Sequence, residues 1–126
     1  MFRTIEWTDA GVVLLDQRRL PGETHWLTLK NATEVAEAIR TLAVRGAPLI
    51  GAAAAYGVWL GARAQAGNLE RAVDEAQAVL AASRPTAVNL FHALSRLRGA
   101  FDRTAGDSAA ARIAALLRAQ GRAAIV

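Results

Sequence analysis

The chain contains no cysteine. Disulfides, thiolate metal sites and a cysteine nucleophile are therefore excluded within it. The absence is compatible with a reducing cytoplasm, which is the expected compartment. Lysine is almost missing too: Lys30 is the only one, so nearly all positive charge is arginine. With 15 basic and 11 acidic residues the formal net charge is +4. Such a balance attracts phosphate groups, whether on a metabolite or on nucleic acid. The arginines are dispersed, with no run of them and no interleaved aromatics, which argues against a nucleic-acid surface. Aromatics are only 6% of the chain. Alanine and leucine carry much of the apolar content, and they favour helices. No apolar leader opens the chain, since MFRTIEWTDAG is polar and alternating. One uncharged stretch, residues 46–62, approaches the length of a membrane span. It is mostly alanine and glycine, with Gly51, Gly57 and Gly61 inside it. It reads as a central helix packed closely on its neighbours rather than as a span.

What is present has a clear order. In RTIEWT, Ile5 and Trp7 share one face while Thr4, Glu6 and Thr8 share the other. Asp9-Ala10-Gly11 is a turn signal, VVLLD at 12–16 an apolar run, Leu20-Pro21-Gly22-Glu23 a type II turn, and HWLTL at 25–29 alternates again. Three short antiparallel strands follow. From Asn31 the period becomes helical. Asn31 and Glu34 have capping-box spacing, and Val35, Ile39 and Leu42 make one face. A second helix is expected from about Pro48 to Gln65. Gly67-Asn68 then ends it and caps a third with the stripe Leu69, Val73, Ala76, Leu80. A fourth is expected to start around Arg84-Pro85-Thr86, with the stripe Leu90, Leu94, Leu97, Phe101. Gly106-Asp107 recaps the chain for a fifth, marked by Ile113, Leu116 and Leu117. The fold class is α+β: a small three-stranded sheet over about residues 1–30, then a bundle of about five helices over 31–126. The chain stops on GRAAIV, without a cap or polar tail, and this predicts either a cut fifth helix or a front portion of something larger.

Arg45-Gly46-Ala47-Pro48 opens the second helix. A helix start presents unpaired N–H groups and a partial positive charge. Proline fixes where that start lies. Gly46 lets an anion approach the backbone, and the Arg45 guanidinium adds forked donors suited to phosphate. Ser83-Arg84-Pro85-Thr86 repeats the pattern, and two such starts meeting in one cleft would hold a phosphorylated sugar. A plain helix connector with a solvated arginine explains the same residues. Other candidates are weaker. His25 and His92 have no second ligand at metal spacing. Asp74 and Glu75 point apart on a helix. Asp16-Gln17-Arg18-Arg19 reads as a solvated turn, and Gly57-x-x-x-Gly61 as a close helix contact.

Together, VVLLDQRRLP at 12–21, VRGAPLIGAAAAYG at 44–57 and SRPTAVNLFHAL at 83–94 resemble the methylthioribose-1-phosphate isomerase family. That family groups with the regulatory subunits of the translation-initiation nucleotide-exchange factor and with ribose-1,5-bisphosphate isomerases. The DQRRLP segment and the tryptophan in the first strand favour the methylthioribose branch. The resemblance covers essentially the whole chain. It implies aldose–ketose isomerisation in methionine salvage, without a cofactor, by a homodimer; the residues themselves lead to the expectation of no metal, membrane or nucleic-acid partner and of a cytoplasmic location. Carried over by motif, it implies substrate contacts at Arg45, Gly46, Ala47 and Arg84. It puts the catalytic cysteine and aspartate in a second, Rossmann-like domain. No catalytic residue is therefore expected within residues 1–126, and the chain alone is expected to be inactive. A regulatory or assembly module, or a fragment of a ribose-1,5-bisphosphate isomerase, is the alternative.

Overall fold

The computed structural model describes residues 5–19, 22–41, 47–84 and 87–123. Strands β1 (Ile5–Thr8), β2 (Gly11–Leu15) and β3 (Trp26–Leu29) form one antiparallel sheet in that order. Trp7 pairs with Val12 and Val12 with Leu29, so the pleat puts Ile5, Trp7, Leu14 and Leu27 on that same face. Val12 and Leu14 are completely buried there. Thr8 pairs with Gly11 across the two-residue turn Asp9-Ala10. Gly11 has φ 143°, and a Cβ on it would stand 2.3 Å from the Leu29 carbonyl oxygen, so only glycine fits.

Five helices follow: α1 (Ala32–Arg40), α2 (Ala47–Ala64), α3 (Leu69–Ala81), α4 (Val88–Asp102) and α5 (Ala109–Ala123). The molecule is α+β, with a three-stranded antiparallel sheet ahead of the helices. Asn31 caps α1, its side-chain oxygen accepting the Glu34 N–H at 2.8 Å. The Glu34 carboxylate reaches back to the Lys30 N–H at 2.8 Å, one residue earlier than in the usual reciprocal box. Helix α2 is the centre. Residues 50–60 are buried on every side, and α1, α3, α4 and α5 all pack on it. This explains an apolar run without periodicity: no face of that segment meets water. Among the described residues no helix is long and apolar enough to cross a membrane.

The two glycines in α2 set how closely its neighbours approach. A Cβ on Gly57 would lie 2.9 Å from a Leu80 methyl, and one on Gly61 only 2.8 Å from the Ala76 Cβ. The expected stripes of α3 and α4 are buried throughout. On α5, Leu116 is fully buried, while Ile113 and Leu117 are partly so.

Three helix starts differ from expectation. Asn68 makes no side-chain cap, because a short 3-10 turn, Ala66–Asn68, feeds directly into α3. Helix α4 begins at Val88 rather than near Pro85, since the Arg84 carbonyl first closes a turn with the Ala87 N–H at 3.0 Å. Gly106, at φ 92°, breaks the chain as expected, but Ser108 caps α5, its hydroxyl accepting the Ala111 N–H at 3.2 Å. Leu20, Pro21, Leu42, Pro85 and Thr86 lie outside the described residues.

Candidate functional site

Helix directions decide which sequence motifs can meet. Along α2 toward its end, Gly57 faces Leu80 of α3 and Gly61 faces Ala76 and Ala72, so α2 and α3 are antiparallel. Gln77 of α3 donates to the Leu94 carbonyl at 2.9 Å, while Asp74, earlier on α3, pairs with Arg98, later on α4. Those two helices are antiparallel as well. Helices α2 and α4 therefore run parallel. Their starts are also level: a Cβ on Gly51 would lie 3.5 Å from the Asn89 carbonyl oxygen and 3.7 Å from the Ala93 Cβ.

One end of the bundle thus carries two helix N-termini. Ala47 is the first residue of α2. Arg84 follows the end of α3, which the antiparallel packing brings to that same end. Arg84 is half-buried, and among the described residues its guanidinium has no ion-pair or hydrogen-bond partner. Arg45 and Gly46 lie outside the described residues.

The DQRR segment also reaches this end, and its first residue, expected in a solvated turn, is not solvated. Asp16 is 1% exposed. Its carboxylate accepts from the Arg18 backbone N–H at 3.0 Å, from Nε at 3.0 Å and from NH2 at 2.8 Å. Those bonds to Asp16 are the main reason the Arg18 guanidinium is held above its ordinary pKa. Arg18 NH1 also donates to Thr41 Oγ1 at 3.3 Å, just past α1. Helix α1 is antiparallel to α2, since Val35 faces Gly57 and Ala32 faces Gly61. Thr41 is therefore at the end where α2 starts. Burial of Asp16 was not legible in the sequence. Its one local signal was an arginine two residues on, close enough to fork back onto a carboxylate.

The other candidates have ordinary explanations. His25 is exposed beside Glu23, and His92 is exposed on α4. Asp74 pairs with Arg98, and Glu75 with Arg71 at 2.8 Å. No three His, Cys, Asp or Glu among the described residues gather as a metal site would require. The sequence reading missed Arg112, which is 9% exposed. Its guanidinium lies 3.7 Å over the Phe101 ring and bonds to Thr104 Oγ1, the Phe101 carbonyl and Glu70. This is an anchor for α5, not a ligand site.

Comparison with known proteins agrees with the three motifs. No family model matches the chain. A methylthioribose-1-phosphate isomerase from Methylococcus capsulatus is 51% identical over 120 residues, covering 92% of this chain and 34% of its own length. The enzyme so named from Azotobacter vinelandii is 57% identical over 99 residues, covering 76% of this chain and 28% of its own. The chain thus spans about a third of the length of the curated relatives it matches. Among solved structures, the 5-methylthioribose 1-phosphate isomerase of Pyrococcus horikoshii superimposes with a TM-score of 0.91 at 33% identity, over 99% of this chain and 36% of that one. The delta subunit of translation initiation factor eIF-2B from A. fulgidus gives 0.87 at 38% identity, over 98% of this chain and 36% of that one. Half identity along nearly all its residues, on a backbone shared with that solved isomerase, matches this chain to the N-terminal portion of methylthioribose-1-phosphate isomerases.

Proposed function

We propose that this chain supplies the sugar-phosphate-holding part of an aldose–ketose isomerase acting on methylthioribose 1-phosphate to give methylthioribulose 1-phosphate. The observation that carries the reading is the shared end of α2 and α4. Two helix starts there offer unpaired N–H groups and positive dipole ends to one anion. Arg84 adds a cation that has no ion-pair partner among the described residues. By the family resemblance, Arg45, Gly46 and Ala47 would supply the remaining substrate contacts.

Isomerisation between adjacent carbons needs a positioned group to move a proton. Binding of the phosphate orients the sugar but transfers nothing. The chain has no cysteine. The family's cysteine and aspartate would come from a second domain, in the same polypeptide or in a separate one, within a cytoplasmic homodimer. The chain by itself is then a binder without turnover. Calorimetric titration with methylthioribose 1-phosphate tests this. Arg84→Ala should weaken binding about 10- to 100-fold, as expected for a charge-assisted contact. Unchanged affinity would sink the phosphate assignment, and turnover by the chain alone would sink the division of labour. The eIF-2B match favours a second reading, a non-catalytic assembly module on the same fold. Absence of any sugar-phosphate binding would select that one.

A further inference from the structure

We infer that Asn89 is a substrate-positioning residue of this site, its carboxamide reading the sugar hydroxyls while the helix starts hold the phosphate. The inference rests on the proposed sugar-phosphate function and adds to it a side chain that no motif singled out. Its basis is register. Ala93 of α4 lies against Gly51 of α2, with 3.7 Å between the Ala93 Cβ and the position a Cβ on Gly51 would take. The two helices are parallel, so stepping back one turn on each keeps their partners facing. One turn before Gly51 is Ala47, the first residue of α2; one turn before Ala93 is Asn89, the second residue of α4. Asn89 therefore stands across from the start of α2, on the α4 face turned toward it.

The surroundings leave this side chain available. Gly51 has no Cβ, and that lets the first turn of α4 come within van der Waals reach of α2. Other side chains on the α2-facing and α3-facing sides of α4 are absorbed: Ala93, Leu94 and Leu97 are buried, and Arg98 is paired with Asp74. Asn89 is exposed, and its carboxamide makes no hydrogen bond to any described residue. A carboxamide offers two donors and one acceptor without charge. That suits vicinal hydroxyls, each of which donates and accepts. A phosphate, whose oxygens only accept, would leave the carboxamide's acceptor unused, and Arg84 and the backbone N–H groups already serve it. The division of labour is then by chemistry: cations and amides for the anion, Asn89 for the polyol.

The test compares two ligands on the chain itself, methylthioribose 1-phosphate and inorganic phosphate, by calorimetry and by amide chemical-shift titration. Asn89→Ala is suitable because the position is exposed, and an unchanged far-ultraviolet circular dichroism spectrum checks that the fold is kept. The expected result is a 5- to 10-fold loss of affinity, about one hydrogen bond's worth, for the sugar phosphate and none for inorganic phosphate. In the wild-type chain, the Asn89 side-chain NH2 resonances should shift with the sugar phosphate only. Equal sugar-phosphate affinity in the variant, with the wild type binding both ligands, overturns the Asn89 assignment and leaves the phosphate site standing. A wild-type chain that binds neither ligand overturns the phosphate reading, and the Asn89 assignment with it. Equal weakening toward both ligands also overturns the assignment, because it would make Asn89 part of the anion cradle.

Discussion

The spacing between α2 and α3 rests on the missing side chain of Gly61. A Cβ there would stand 2.8 Å from the Ala76 Cβ. Carbon atoms prefer about 3.5–4.0 Å, so Gly61→Ala is roughly 1 Å too tight. A Cβ cannot swing away; relief requires moving the α3 backbone. Helix α3 is tied on its other side to α4 by Gln77 on the Leu94 carbonyl and by Asp74 on Arg98. Overpacking of this kind costs about 1–3 kcal/mol. Against it stands the roughly 1 kcal/mol that alanine gains over glycine inside a helix. Gly99→Ala is the control. It sits within α4, and among the described residues its added Cβ would approach the far end of the Arg103 side chain alone, at 3.5 Å. There the propensity gain stands alone. Gly61→Ala should therefore fall below Gly99→Ala by about 1–3 kcal/mol, or roughly 4–12 °C in melting temperature for a domain of this size. Thermal melts and urea titrations followed by far-ultraviolet circular dichroism measure both. Adding Ala76→Gly to Gly61→Ala should recover the clash as a favourable coupling of similar size, separable from the propensity cost by a double-mutant cycle. If Gly61→Ala melts at or above Gly99→Ala, helix propensity outweighs packing and the close-contact argument fails.

Arg112→Leu should cost about 2–3 kcal/mol, the sum of lost charge-assisted bonds and ring stacking. Amide exchange should quicken along α5 while the sheet keeps its protection, and uniform acceleration would deny Arg112 its anchoring role. Glu37 offers a pH test. A hydrogen bond from Arg40 holds its carboxyl below the usual carboxylate range. A lowered folded-state pKa means the contribution is present above the unfolded value, about 4.3, and disappears as pH falls through the lowered one. Glu37→Gln should thus be slightly less stable than the parent at neutral pH and equal to it in strong acid. The gap is small because both partners are exposed; a gap that persists at about pH 2 would contradict the linkage.

The parts that local chemistry governs were readable directly. Alternation in IEWT and WLTL, the Asn31–Glu34 spacing and the leucine stripes of α3 and α4 each depend on neighbours within a few residues. The misjudged features depend on distant ones. Whether Asn68 or Ser108 caps a helix depends on how the chain leaves the preceding turn. Asp16 and Arg112 are charges taken out of water by packing that their immediate neighbours do not announce, even though the Asp16 partner, Arg18, is local. Arg112 meets Glu70 across 42 positions of sequence. The two helix starts could be spotted from arginine, glycine and proline. Their relation could not, because parallel alignment of α2 and α4 follows from α3 lying antiparallel to both. Asn89 gains its interest only from that alignment.

The tryptophans give the molecule a built-in optical probe. Trp7 and Trp26 are each 45% exposed, whereas Trp59 on α2 is 4% exposed. Trp59 meets Trp7 edge-on at 5.6 Å between ring centres, and the Arg63 guanidinium lies 4.4 Å over its ring. An indole so shielded emits at shorter wavelength than its two wet companions, so the blue side of the spectrum belongs to the seam between sheet and bundle. Peeling of the strands from α2 would extinguish that component while helical ellipticity persisted, and a single cuvette could then separate the two layers' loss of order in time.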